Sequence, residues 1–224
     1  MGTLTLTGAA NSHTGGTKIL GGILSLGHTR SLQNSAFDTA ASVSGDATNG
    51  LRATVTTLTL GGLTGNKNFA DVFTTTSGGY NNVTALTLNP GTGVTNSYSG
   101  VIANGATGMT LIKTGVGTQV LSGTNTYTGA TTVSAGTLIF GVSETLSALD
   151  IADGAVVVLG IAPPAPAPGE GEAAAFLADG ESIGGGFSAE SGAPAAAAVP
   201  EPGSVALLIG GALALLGVRR RHQA

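Results

Sequence analysis

The sequence predicts an all-β protein whose residues 1–160 wind as a parallel β-solenoid. Three observations carry this: an internal repeat, apolar residues alternating with Thr and Ser, and a composition rich in glycine and poor in charge. The repeat sets GTLTLTGAANSHTGGTKILGGILSLG, residues 2–27, against GTQVLSGTNTYTGATTVSAGTLIFG, residues 117–141, with Ala10 as the one extra residue of the first copy. Self-similarity at this scale is the mark of stacked coils, each too small to bury its apolar face alone. Only 9% of the 224 residues are charged, 4% are aromatic and 38 are glycine. That composition suits short strands joined by glycine turns, with a core drawn from Val, Leu, Ile and Ala rather than large rings. A β-sandwich with coincidental similarity is the competing architecture.

Each element follows from the repeat. Leu6 matches Leu121, Gly8 Gly123, Asn11 Asn125, Thr17 Thr131, Ile19 Val133, Leu24 Leu138 and Gly27 Gly141. Apolar positions recur every second residue over four to six positions and stop at Gly or Asn-Thr clusters, the signature of half-buried strands bounded by turns. A second echo, VTTLTL from Val55 and VTALTL from Val83, places the same strand in the middle. Ile19, Leu24, Val133 and Leu138 are expected to point inward and stack coil on coil, with the threonines facing water. Asn11 and Asn125 are expected at equivalent corners, where Asn bonds its own backbone and glycine permits tight bends. With coils of about 25 residues, this segment holds about six.

Residues 113–141, KTGVGTQVLSGTNTYTGATTVSAGTLIFG, resemble the autotransporter-associated β-strand repeat in their Lys-Thr-Gly, Leu-Ser-Gly, Asn-Thr-Tyr-Thr-Gly, Thr-Thr-Val and Gly-Thr-Leu stretches. NSYSGVIANG, residues 96–105, is similar to the strand that leads into it. The first copy departs more: His13 stands where Tyr127 stands in the second. The resemblance implies a right-handed parallel β-helix in a secreted or surface-displayed protein, and it implies no reaction.

Near Gly160 the chain changes character. Threonine ends at Thr145 and asparagine at Asn125, while seven of the eight prolines lie beyond Ala162. Residues 161–203 carry six acids and no base, and the Pro, Ala and Gly between them predict a disordered or polyproline-like linker over 161–199. Such a stalk reaches roughly 35 Å as a coil and roughly 150 Å fully extended. The apolar spot of Phe176, Leu177, Ile183 and Phe187 offers an alternative, docking on the last coil as a cap.

Residues 205–218, VALLIGGALALLGV, form an uncharged run of 14 followed by Arg219, Arg220 and Arg221. As a helix the run spans about 21 Å against a bilayer core of about 30 Å, a mismatch that snorkelling arginines and local thinning absorb. The positive-inside tendency keeps the arginines cytoplasmic and the rest of the chain outside. Just before the run, Pro200, Glu201 and Pro202 make a stiff acidic tag. This order resembles the PEP-CTERM sorting signal of Gram-negative bacteria. The resemblance implies recognition of Pro200, Glu201 and Pro202 by an exosortase, a short membrane helix over 205–218, retention by Arg219, Arg220 and Arg221, and removal of the tail on export to the cell surface or matrix. Residues 200–224 are therefore read as a sorting domain. A plain tail anchor is the alternative. An exported chain needs an N-terminal signal that MGTLTLTGAANSHTGG does not resemble, so more repeats and a signal are expected upstream of Met1.

The residues that could carry chemistry are sparse. A net charge of −4 with eight basic residues offers no face for nucleic acid, and without cysteine there is no disulfide, thiolate metal site or cysteine nucleophile. Asp38, Asp46, Asp150 and Asp153 read first as turn residues and only second as paired carboxylates. His13 and His28 lack a third metal ligand, and Gly115-Val-Gly117 precedes a strand, not the helix a dinucleotide site needs. The expected function is a non-enzymatic surface or matrix protein for structure or adhesion, with no cofactor and no metal. Its expected partners are an exosortase-type enzyme, the membrane and extracellular polysaccharide. The alternative is a fragment of a carbohydrate-active β-helix enzyme.

Overall fold

A computed structural model describes residues 2–9, 11–160 and 218–221. The linker, the Pro200, Glu201 and Pro202 tag and the apolar run up to residue 217 lie outside these residues. The described chain is a parallel β-solenoid of about seven turns, one more than the repeat length predicts. Its strands are β1 (Thr3–Leu6), β2 (Ile23–Leu26), β3 (Leu32–Asp38), β4 (Gly50–Ala53), β5 (Thr57–Thr64), β6 (Ala85–Leu88), β7 (Thr95–Tyr98), β8 (Thr110–Lys113), β9 (Thr118–Leu121), β10 (Thr131–Val133), β11 (Thr137–Phe140), β12 (Leu149–Ala152), β13 (Val156–Leu159) and β14 (Val218–Arg221). They form three sheets, ordered β1-β2-β4, β14-β12-β10-β8-β6-β5-β3 and β13-β11-β9-β7. No α-helix occurs among the described residues; short 3₁₀ turns stand at Phe69–Val72 and Tyr80–Asn82.

The extra turn arises because the coils are unequal and several are short. The first closes from Thr3 to its partner Ile23, and longer ones follow, from Ile23 to its partner Gly50, from Thr57 to its partner Ala85 and from Ala85 to its partner Thr110. Later ones close sooner, from Thr118 to Thr137 and from Thr137 to Val156. The longer early coils hold the two 3₁₀ turns and Phe69, Phe73 and Tyr80. These rings pack edge-on or tilted with centroids 4.9–5.4 Å apart, a geometry favoured by ring quadrupoles. The expectation of an aliphatic core is thus corrected: Phe37, Phe69, Phe73, Tyr80, Tyr98, Tyr127 and Phe140, all seven described aromatics, are buried. The expanded coils have room that aliphatic side chains alone would leave empty.

The echo of Val55 and Val83 is now physical: Leu58 lies beside Leu86 and Leu60 beside Leu88 on neighbouring coils. Ile19, Leu24, Val133 and Leu138 are all buried, as alternation demands. The longer repeat keeps its two outer strands but not its middle one, since Thr17 forms only an isolated bridge where Thr131–Val133 is a strand, and not its sheet, since Leu24 stands in the first sheet and Leu138 in the third. Not every threonine faces water. Thr39 and Thr131 are fully buried and satisfied, Thr39 Oγ1 donating to Thr64 O at 3.1 Å and Thr131 Oγ1 sharing a 2.7 Å bond with the Tyr127 hydroxyl.

Candidate functional site

Inside the solenoid, a polar column runs through the third sheet. Alternation in Thr118–Leu121 sends Thr118 and Val120 outward, Gln119 and Leu121 inward, and the register places Asn96 beside Gln119. Gln119 is fully buried. Its Oε1 accepts from Leu63 N at 3.0 Å, and its Nε2 donates to Leu63 O at 3.0 Å and Asn96 O at 3.3 Å. Leu63 lies where β5 has passed the end of its pairing with β6, so the side-chain amide supplies what a neighbouring strand would. Asn96 adds a bond from Nδ2 to Gly61 O at 3.1 Å. Gly62, with φ 145, makes the space: a Cβ there would strike Asn96 Nδ2.

A second column lines a corner. Ser42 Oγ accepts from Ile19 N, Asn68 Oδ1 from Val101 N, Asn125 Oδ1 from Ile102 N, and Glu144 Oε1 from Asn125 N, at 3.0–3.1 Å. Each short polar side chain thus closes a backbone donor of the adjoining coil. Burial raises Glu144 above the usual carboxylate range, although the Asn125 backbone and amide donors pull it back. Asn11 and Asn125 do act as equivalents: each donates Nδ2 to the carbonyl of its matched glycine, Gly8 at 3.0 Å and Gly123 at 3.1 Å.

Lys113 ends β8 on the inward side and is fully buried. Its ammonium donates to Gly115 O and to Ala135 O on the next coil. Carbonyls favour the charged form, yet burial wins and pushes Lys113 down from 10.5 to about 8. Between these values the unfolded chain holds a proton that the solenoid does not, so the Lys113 contribution to stability rises as pH climbs from about 8 to 10.5. Tyr80, Tyr98 and Tyr127, raised by burial above their ordinary 10, act in the opposite sense near the top of that window in any variant that keeps them. The difference in urea midpoint between the wild type and Lys113→Met should therefore move in favour of the wild type across the window, and a difference independent of pH would contradict the burial of the ammonium.

Of the candidate catalytic and metal residues, Asp38, Asp46 and Asp153 serve turns, whereas Asp150 lies on a strand, which corrects its reading as a turn residue. Asp46 Oδ1 accepts from Thr48 N at 2.6 Å and Asn49 N at 2.7 Å, and its Oδ2 from Asn49 Nδ2 at 2.9 Å. These donors, Asn49's amide first, hold this exposed carboxylate down at about 2. The turn is strengthened above pH 3.8 and weakens as pH falls toward 2. Asp38 Oδ1 accepts from Ala41 N at 3.0 Å, and Asp153 opens a turn closed by Ala155 N to Ala152 O, with Gly154 at φ 77. Asp150 sits on β12, partly exposed. His13 is exposed, unlike its counterpart Tyr127, and His28 Nδ1 accepts from Arg30 N. Among the described residues no three His, Cys, Asp or Glu cluster as metal ligands.

Of the tail, Pro200, Glu201 and Pro202 lie outside the described residues. Arg219, Arg220 and Arg221 belong to β14, whose backbone pairs in parallel with β12. No helix among the described residues is long and apolar enough to cross a membrane.

Coils of unequal length, with Asn and Gly at matched corners, are the geometry on which the comparison with protein families falls. Residues 1–26 and 111–140 match the model of the Passenger-associated-transport-repeat. The two stretches are close to the copies found by self-comparison, and Lys113, Gln119 and Asn125 all lie in the second. Outside them the coils keep the fold with other sequences, as the aromatic expansion at Phe69, Phe73 and Tyr80 illustrates. No curated protein and no solved structure matches the chain.

Proposed function

We propose that the chain is a non-enzymatic protein of the bacterial surface or extracellular matrix, a solenoid scaffold exported and sorted through residues 200–224. The observation that carries the reading is the joint one of a parallel solenoid and two transport repeats within it. Winding is right-handed, as crossovers between parallel strands strongly favour. The solenoid's polar groups support a structural role, because Gln119, Asn125, Lys113 and Glu144 are engaged in joining one stretch of backbone to another. The buried rings argue in the same direction. A carbohydrate-active enzyme stacks sugars on exposed aromatics, and all seven described ones face the core.

The tail supplies the sorting step. Pro200, Glu201 and Pro202 form the recognition tag for an exosortase-type enzyme, 205–218 the transient membrane helix and Arg219, Arg220 and Arg221 the retention cluster. Replacing Pro200, Glu201 and Pro202 with alanines keeps the apolar run and its arginines but deletes the tag. An uncut form should then accumulate in the inner membrane, read by fractionation and immunoblot. Normal release of the triple variant would reject the tag.

A further inference from the structure

Two buried side-chain atoms among the described residues have no hydrogen-bond partner, Arg52 Nε and Thr74 Oγ1. They fall together. Arg52 takes the outward position of β4 between the inward Leu51 and Ala53, and Leu51 is bridged in parallel to Phe73 of the next coil. Thr74 N donates to Leu51 O at 2.8 Å, so the register sets Thr74 beside Arg52. Alternation turns Thr74 to the same outward side, because Phe73 belongs to the core. Ser25, the register partner of Arg52 on β2, adds a second hydroxyl to this column. The segment after Thr74 folds back over the pair: Ala53 N donates to Gly78 O at 2.6 Å, and a Cβ on Gly78 would strike Arg52 Cγ. Beneath it Thr74 is 3% exposed, whereas Thr75, Thr76 and Ser77 stand in solvent.

The charge of Arg52 is unmatched as well. Arg30 donates to Gln33, Lys67 to Ser42 O and Lys113 to two carbonyls, while Lys18 stands in solvent. Arg52 is half-buried, and no acceptor or acid among the described residues closes its guanidinium. Asp46 O accepts from Thr75 N at 3.1 Å, yet the Asp46 carboxylate serves its own turn. A covered cation with an orphan N–H calls for an anion. The Nε edge of a guanidinium matches the planar fork of a carboxylate, and the Thr74 hydroxyl supplies one donor more. One cation balances one negative charge, which selects a carboxylate over a phosphate. The covering segment Thr74–Gly79 carries hydroxyls and no apolar side chain, a lining suited to sugar. We propose that Arg52 and Thr74 bind the carboxylate of an acidic polysaccharide, with Thr75, Thr76 and Ser77 meeting the neighbouring sugar hydroxyls as their segment yields at Gly78 and Gly79. The choice of a polysaccharide rests on the extracellular reading above.

Titration calorimetry of the full chain with oligogalacturonate tests the site in solution, independently of export, so its failure leaves the sorting reading untouched. The wild type should bind this probe, more weakly as salt rises, and should not bind neutral dextran. Arg52→Gln should lose about tenfold or more in affinity, and Thr74→Val about fivefold. Arg52→Lys should lose nearly as much as Arg52→Gln, because an ammonium keeps the charge without the planar edge. Lys18→Gln should bind as the wild type does. Circular dichroism checks that each variant is folded, and the isosteric Thr74→Val carries the test should Arg52→Gln fail to fold. No binding by the wild type, or undiminished binding by folded Arg52→Gln or Thr74→Val, would overturn the proposal and leave a bridging water as the partner of both atoms. Equal binding of polyglutamate would overturn the sugar assignment in favour of an acidic peptide.

Discussion

Replacing Gly45 with alanine is expected to lower the stability of the solenoid by more than about 3 kcal/mol, at the top of the range for overpacking. A Cβ on Gly45 would fall inside the carbonyl of Phe73 on the next coil. Neither side can retreat. Gly45 N is bonded to Asp71 O at 2.7 Å, Thr74 N to Leu51 O at 2.8 Å, and the Phe73 ring is buried against Phe69 and Tyr80. Gly15→Ala, where nothing lies within 4 Å, should be near neutral. Urea unfolding of both variants checks the pair, and equal midpoints would contradict the coil-on-coil contact.

Gln119→Leu should cost about 2–4 kcal/mol despite adding an apolar side chain to an apolar interior. It would strand Leu63 N–H and C=O in a dry core, and an unpaired buried polar group costs about 1–3 kcal/mol each. If hydrophobicity alone governed the interior, the variant would gain stability instead. Amide exchange reports the mechanism directly: the Leu63 N–H, bonded only through the Gln119 side chain, should lose protection in Gln119→Leu while the Leu86 ladder keeps it. Retained protection at Leu63 would mean that another group closes the strand.

Much of this fold is legible in the sequence because alternation and turn chemistry are local. Leu24, Val133 and Leu138 declare their burial by spacing, and Asp46 and Asp153 declare turns by their neighbours. The coil count is less legible. The longer coil from Thr57 to Ala85 and the shorter one from Thr118 to Thr137 pair equally well once their strands align, and the insertions fold into 3₁₀ turns around Phe69, Phe73 and Tyr80. Lys113 and Gln119 were open to discovery: both stand on the inward parity of their strands, next to the outward Ile112 and Val120. What parity cannot supply is the partner, because Gln119 meets Leu63, far off in the chain, through the three-dimensional stacking alone. The same is true of the sheet in which each repeat copy falls. The residues proposed for sorting are legible only as sequence, with Pro200, Glu201 and Pro202 lying outside the described residues.

The central claim, a solenoid displayed outside the cell by a removable tail, is tested most directly by the intact mass of the protein released at the surface, supported by peptide mapping. The account predicts a species that contains the coils around Gln119 and Val157 and lacks every peptide from Val205 to Arg219. Recovery of those tail peptides from the exported protein would contradict processing and leave a plain tail anchor, and a solenoid found only in the cytoplasm would contradict display itself.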